Sequence, residues 1–132
     1  MIIRRVCTAL AALALPAALL VTATPAAHAI AGRCPDWTHS VGAGPKSISN
    51  GSHWLGNVDV RYSYQQTIWC VEVNTGWSDS KVNVKYNASS TWGPDTVGDG
   101  PIHVWLNSNG GKCVDAFGSI QGSAVTIQRC RV

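Results

Sequence analysis

Histidines and carboxylates are the residues that could carry catalysis or bind a metal ion in this chain. Beyond the first 30 residues the histidines stand alone, none at metal-ligand spacing from another histidine or a cysteine: His39, His53 and His103. The absence of CxxC and HExxH motifs also argues against a metal site. Because His103 lies opposite the apolar side of a strand pattern, we expect it to face solvent or to be lightly hydrogen-bonded.

Neither a nucleophile nor a calcium loop stands out. Catalytic triads are recognised by geometry, and no G-x-S-x-G elbow singles out one serine. Asp95 and Asp99 lie in a Gly-rich loop but do not follow the Asp and Asn ladder of a calcium loop, so we interpret them as turn-forming residues. We therefore expect a protein that is not an enzyme and has no cofactor.

Tryptophan is the residue type most suggestive of binding, since its ring can fill a core or serve as a stacking surface for sugars. The chain has six: Trp37, Trp54, Trp69, Trp77, Trp92 and Trp105. Trp69 lies in a strongly apolar strand pattern and is expected in the core. Trp77 and Trp92 lie in polar loop sequence, where burial and exposure are equally compatible with the pattern.

The first 29 residues have the features of a secretory signal peptide, with two arginines, an apolar stretch and a small-x-small site that ends at Ala29. Pro16 interrupts the apolar stretch, which favours cleavage over a retained membrane anchor. Residues 30–132 would form one secreted β domain. Its eight basic and seven acidic residues give a net charge of +1, with no basic stripe for nucleic acid and no cationic helix for a membrane.

Cysteines in an exported chain predict disulfides. Cys7 falls in the signal peptide, and four remain: Cys34, Cys70, Cys113 and Cys130. Four cysteines allow three pairings, and the sequence does not decide among them. We favour Cys34 with Cys70 and Cys113 with Cys130, because each closes one loop of moderate size and the two loops do not cross.

Residues 57–74, NVDVRYSYQQTIWCVEVN, have the clearest strand pattern. Apolar residues at every second position from Val58 to Tyr64 indicate a half-buried strand. Residues 68–73 are apolar on both faces except at Glu72, which is typical of a strand inside a sheet. We interpret the two as a β-hairpin, and the sequence does not decide whether an edge of it pairs with a second copy.

The rest of the chain continues the strand pattern between turn-rich segments. Alternating segments occur at 81–87, 102–106 and 123–130, and no stretch has a convincing helical period. The segments at 31–56 and 88–100 are rich in Gly, Ser and Pro. We expect an all-β, disulfide-stapled sandwich or barrel of about five to seven strands.

The segment GKCVDAFGSIQGSAVTIQRC, residues 111–130, resembles one repeat of a ricin-type β-trefoil lectin. In that repeat a Gly-Lys-Cys-apolar-Asp opening is joined by a disulfide to a cysteine after a later apolar strand, and the Asp contacts sugar. The resemblance implies a Cys113–Cys130 disulfide and a sugar contact at Asp115. A trefoil needs three repeats and no second copy precedes this one, so the resemblance is local.

Two segments give a resemblance that spans most of the domain. VDVRYSYQQTIWCVEV, residues 58–73, and GPIHVWLNSNGGKCVDAFG, residues 100–118, occur in this order and are followed by a terminal cysteine. They resemble the spore-associated protein A family of small exported proteins of filamentous actinobacteria. The resemblance implies a secreted protein found with hyphae or spores, with no established catalytic activity and no functional residue beyond the cysteines.

The expected function is that of a non-enzymatic secreted protein associated with the cell or spore surface. An alternative is a glycan-binding module for cell-wall or surface glycan, which uses Asp115 with Trp77 or Trp92 as a stacking surface. A secreted inhibitor or toxin-like protein is the third hypothesis. Self-association is the other expected partnership.

Overall fold

Strands make up the fold throughout the part of the chain that is described. The computed structural model describes residues 29–37, 44–89, 91–107 and 112–131. Their nine strands are β1 (Ile30–Ala31), β2 (Lys46–Asn50), β3 (His53–Ser63), β4 (Ile68–Thr75), β5 (Ser80–Tyr86), β6 (Thr96–Gly98), β7 (Ile102–Asn107), β8 (Cys113–Ile120) and β9 (Ser123–Cys130). The prediction of an all-β fold is confirmed, and the nine described strands exceed the expected five to seven. The strand patterns of the sequence correspond to β3, β4, β5, β7 and β9, and they did not mark β1, β2, β6 or β8.

The strands form two antiparallel sheets packed as a sandwich. The larger sheet has the order β1-β7-β4-β3-β2, and the smaller one has the order β6-β5-β8-β9. The predicted hairpin is β3 and β4, paired in register from Gly56 with Thr75 to Ser63 with Ile68. Both strands have neighbours on each side, so neither forms an edge of the sheet.

The core lies between the sheets. Alternate residues of β3 and β4 point inward, among them Val58, Val60 and the fully buried Trp69, which confirms the core position predicted for that tryptophan. From the smaller sheet, β8 contributes Val114, Ala116 and Ile120 to the same apolar cluster. The remaining inward position of β8 is Gly118, where an added Cβ would lie 2.9 Å from Val73 and 3.0 Å from Val58. The lack of a side chain there lets the sheets approach closely.

The second face of β3 differs from the prediction. The alternation indicated a strand with polar residues in solvent, yet Asp59, Arg61 and Ser63 are all buried. After β1 pairs with the edge of β7, residues 32–37 cross this outer face of the larger sheet, and we call them the cover segment. A disulfide between Cys34 and Cys70 attaches the cover segment to β4. Burial of the polar face therefore comes from residues distant in sequence.

The second disulfide joins Cys113 to Cys130, which are direct partners in the β8–β9 ladder. Both disulfides have the pairing that the loop sizes favoured. The β8–β9 turn consists of Gln121 and Gly122, with φ values of 52° and 85°, the left-handed conformation of a two-residue hairpin turn. β9 spans residues 123–130, as the alternating segment indicated.

Several sequence predictions concern residues outside the described ranges. These are the signal peptide up to residue 28 and His39. Ala29, the last residue of the predicted signal peptide, is described, and its N–H donates to the carbonyl of Val97 at 3.1 Å. Within the described residues no helix has the length and hydropathy needed to cross a membrane.

Candidate functional site

Asp115 lies on the outer face of the smaller sheet. It alternates on β8 with Val114 and Ala116, which point into the core, so its carboxylate points away from the larger sheet. Its ladder partners are Lys85 on β5 and Gln128 on β9. The register thus places an acidic, a basic and an amide side chain in one row across three strands.

The carboxylate of Asp115 is held in a defined position. Lys85 Nζ lies 2.9 Å from its Oδ2, and Asn87 Nδ2 donates to its Oδ1 at 3.3 Å. Only 13% of the Lys85 side chain and 19% of the Asp115 side chain are exposed, so the pair is better shielded than most surface ion pairs. An ionised carboxylate can accept about four hydrogen bonds, so Asp115 retains acceptor capacity beyond these two contacts.

Trp92 lies beside this ion pair. Lys85 Nζ lies over its indole at 5.3 Å from the ring centroid, and the ring of Phe117 meets it edge-on with centroids 6.3 Å apart. Asn83 anchors the loop, since its Nδ2 donates to the carbonyl of Gly93 at 2.7 Å and to Asp95 Oδ1 at 3.0 Å. Trp92 is therefore a positioned, partly exposed aromatic. We call Lys85, Asn87, Trp92, Asp115 and Phe117 the outer-face cluster.

Trp77 belongs to a different region. It precedes β5, whereas Lys85 lies near the other end of that strand, about 17 Å from Ser80 at 3.3 Å per residue. Its indole is 45% exposed and meets the ring of His53 edge-on at 5.8 Å. Of the two tryptophans considered for a stacking surface, the fold brings Trp92, and not Trp77, next to Asp115.

The outer face of the larger sheet carries a buried charge network that sequence reasoning missed. Glu72, fully buried, accepts hydrogen bonds from the backbone N–H of Cys34 at 2.9 Å and from Arg33 Nε at 3.0 Å. Arg61 Nη1 donates to the carbonyl of Trp37 at 2.9 Å and to Asp36 Oδ1 at 3.2 Å. These contacts fasten the cover segment to the sheet. The sequence feature that could have indicated this network is Glu72, a carboxylate in an otherwise apolar strand.

His103 belongs to the same face. It is 6% exposed, so it does not face solvent, and its Nδ1 lies 2.8 Å from the carbonyl oxygen of Gly32, which agrees with the other expected state, a lightly hydrogen-bonded side chain. The cover segment buries it. Trp105, two residues further along β7, packs between the rings of His103 and Trp37 at centroid distances of 5.1 and 5.2 Å.

Metal coordination finds no support in the described residues, which contain no group of three or more His, Cys, Asp or Glu side chains able to hold an ion. Asp95 accepts a hydrogen bond from Asn83, and Asp99 Oδ1 accepts one from the backbone N–H of Asp79 at 3.2 Å. Both aspartates have the loop-bonding role expected of turn residues.

An apolar cleft of about 340 Å³ opens between β7 and β5. Aliphatic side chains, including Val84, Val104 and Leu106, form most of its lining. Its two small polar residues are already bonded elsewhere: Asn83 to its loop, and Thr96 Oγ1 to the carbonyl of Val82 at 2.9 Å. The cleft offers apolar surface without the free polar anchors typical of a ligand site.

No protein-family model, no curated protein and no solved structure matches this chain.

Proposed function

We propose that this is a non-enzymatic secreted protein that binds carbohydrate at a cell or spore surface. Export is supported by the signal-peptide pattern and by two disulfides, which persist in oxidising compartments. The surface location is supported by the resemblance of residues 58–73 and 100–118 to the spore-associated protein A family. The proposed contact surface is the outer-face cluster.

The observation that carries the proposal is the arrangement of Asp115, Lys85 and Trp92. A sugar presents hydroxyl groups around its rim and C–H groups on its ring faces, so a protein contacts it with hydrogen-bonding groups and an aromatic ring. Asp115 supplies an acceptor with spare capacity, and Lys85, whose ammonium already donates to Asp115 and to the carbonyl of Ser89, keeps one of its three N–H donors for a ligand. Trp92, held by Lys85 and Phe117, supplies the ring.

The side chains of the outer-face cluster are held in place before any ligand binds. Asp115 and Lys85 are strand residues, and Asn83 anchors the loop that carries Trp92. Side chains positioned before binding lose less conformational freedom when a ligand arrives, which favours affinity. The proposal assigns no catalytic step to any of these residues.

Co-sedimentation with insoluble peptidoglycan and chitin, followed by a glycan array, tests this function. We expect the secreted protein to bind at least one of these materials. Trp92→Ala and Asp115→Asn should each weaken binding about tenfold or more, because each removes a contact worth about 1.4 kcal/mol or more. Trp77→Ala is the matched control, since it removes an exposed tryptophan from a distant part of the surface, and its affinity should not change.

Thermal melts of all three variants must match the parent protein to exclude loss of fold. A lack of binding to every glycan would refute the function. Binding that survives both Trp92→Ala and Asp115→Asn, or that is lost in Trp77→Ala, would refute the site.

A further inference from the structure

Sheet edges can pair with other chains, and the four edges of this sandwich are unequal. β1 and β6 are two and three residues long. β2 has an exposed lysine, Lys46, and a register shift between Ile48 and Ser49, two features that protect edges from pairing. β9 has eight residues, SAVTIQRC, without proline, acid or lysine.

Backbone N–H and C=O groups point outward along the edge of β9. Its two-residue turn makes Ile120 and Ser123 a hydrogen-bonded pair, and such pairs alternate along an antiparallel ladder. The intervening residues Ala124, Thr126 and Gln128 therefore point their N–H and C=O groups away from β8. All three are exposed, and within the described residues no backbone group pairs with this side of β9.

We propose that β9 pairs antiparallel with β9 of a second copy of this chain. With Thr126 opposite its own counterpart, Ala124 lies opposite Gln128 of the partner. This register pairs Ala124, Thr126 and Gln128 of each copy with the partner strand through about six hydrogen bonds. Cys130, the fourth outward-pointing residue, lies opposite the turn residue Gly122 of the other copy and stays outside the paired region. The self-complementary pattern is that of a twofold symmetric interface, and it joins the two smaller sheets into one continuous sheet.

The assembly closes at two copies. Pairing of β9 with β9 uses both copies of the long edge, and β6, at the other end of the smaller sheet, offers only three residues. The side chain of Arg129 is engaged within its own molecule, where Nη2 donates to the carbonyl of Gly44 at 2.8 Å and Nη1 donates to the carbonyl of Gln128 at 2.9 Å. The Gln128 carbonyl accepts the partner's hydrogen bond with its second lone pair.

The twofold symmetry places both outer-face clusters on the same side of the dimer. The twofold axis of an antiparallel strand pair is perpendicular to the sheet, so the outer faces of the two smaller sheets lie on one side of the dimer. Two outer-face clusters would then meet the same surface, which raises the effective affinity for a repeating polymer. This consequence depends on the proposed carbohydrate binding, whereas the self-pairing does not.

Light scattering of the purified secreted protein across a concentration series, without glycan, tests the pairing. We expect the apparent mass to rise to twice the monomer mass. Thr126→Pro removes an outward N–H group and should give the monomer mass at every concentration. Thr126→Val retains the N–H group and serves as the control that should still dimerise. If Thr126→Pro melts below the parent protein, Thr126→Lys replaces it, because an edge lysine blocks pairing without altering the backbone.

Cysteine cross-linking tests the register. Directly opposite residues in a hydrogen-bonded pair have Cα atoms about 5.5 Å apart, within disulfide range. Thr126→Cys should form a covalent dimer under mild oxidation, and Ala124→Cys, which lies opposite Gln128, should not. A monomeric parent protein at all concentrations, dimerisation that persists in Thr126→Pro and Thr126→Lys, or equal cross-linking of the two cysteine variants would overturn the proposal.

Discussion

At the scale of single residues, the buried charges beneath the cover segment stand out. Glu72 is fully buried on a strand whose other residues are mostly apolar, and its two oxygens accept hydrogen bonds from Cys34 and Arg33. A buried carboxylate is costly unless it is paired and hydrogen-bonded. The network therefore ties the position of the cover segment to the stability of the sheet.

Glu72→Gln tests this dependence. The amide retains the size of the side chain but removes the charge opposite Arg33, and we expect a loss of about 2–4 kcal/mol in the free energy of unfolding. Chemical denaturation measures this loss. Asp79→Asn, at an exposed position, is the matched control and should change stability by less than about 0.5 kcal/mol. Equal stability of the two variants would show that the network contributes little.

The outer-face cluster was partly predictable from residue patterns. Asp115 came from a lectin-like motif, and Trp92 came from its occurrence in polar loop sequence. Lys85 and Asn87 carry no such local signal, because they reach Asp115 only through the β5–β8 register, across about 30 residues. Which of Trp92 and Trp77 lies next to Asp115 likewise depends on the path of the loops in the fold.

At the scale of elements, strand alternation predicts which side of each main strand faces the core. It does not predict the spacing of the two sheets, which depends on facing residues. Gly118 on β8 lies opposite Val58 and Val73 of the larger sheet. A glycine inside a strand often marks such a close approach.

Gly118→Ala tests the close packing of the sheets. An added methyl group would lie 2.9 Å from Val73, so the sheets or the valine side chains must move, at a cost of about 1–3 kcal/mol. Thermal unfolding should show a lower melting temperature. Gly76→Ala, where an added Cβ meets no atom within 4 Å, is the control and should melt close to the parent protein. A melting temperature for Gly118→Ala equal to that of the control would contradict the tight interface.

At the scale of the whole molecule, the two disulfides stabilise different parts of the sandwich. Cys34–Cys70 closes a loop across 36 residues and attaches the cover segment, and Cys113–Cys130 joins the last two strands across 17 residues. On the loop-entropy model they contribute about 4 and about 3 kcal/mol. Total stabilities of folded domains are about 5–15 kcal/mol, so both together matter greatly.

Refolding under reducing conditions tests this contribution. The protein is unfolded in denaturant with a thiol reductant and then diluted with the reductant retained. We expect it to remain largely unfolded by near-ultraviolet circular dichroism, because about 7 kcal/mol of stabilisation is absent. Refolding with a glutathione redox buffer should restore the tryptophan signal. Recovery of the native spectrum in reductant would show that the sheets suffice without the disulfides.

Residue patterns alone predicted the all-β class, the β3–β4 hairpin and the core position of Trp69, and they favoured one of the three cysteine pairings. These are local or loop-size properties: alternation with a period of two, and the distance between cysteines along the chain. The fold was needed to show that the cover segment buries His103 and the polar side of β3, and that β9 forms the long edge. Those features depend on which distant segments pack together, and strand alternation carries no information about which segments these are.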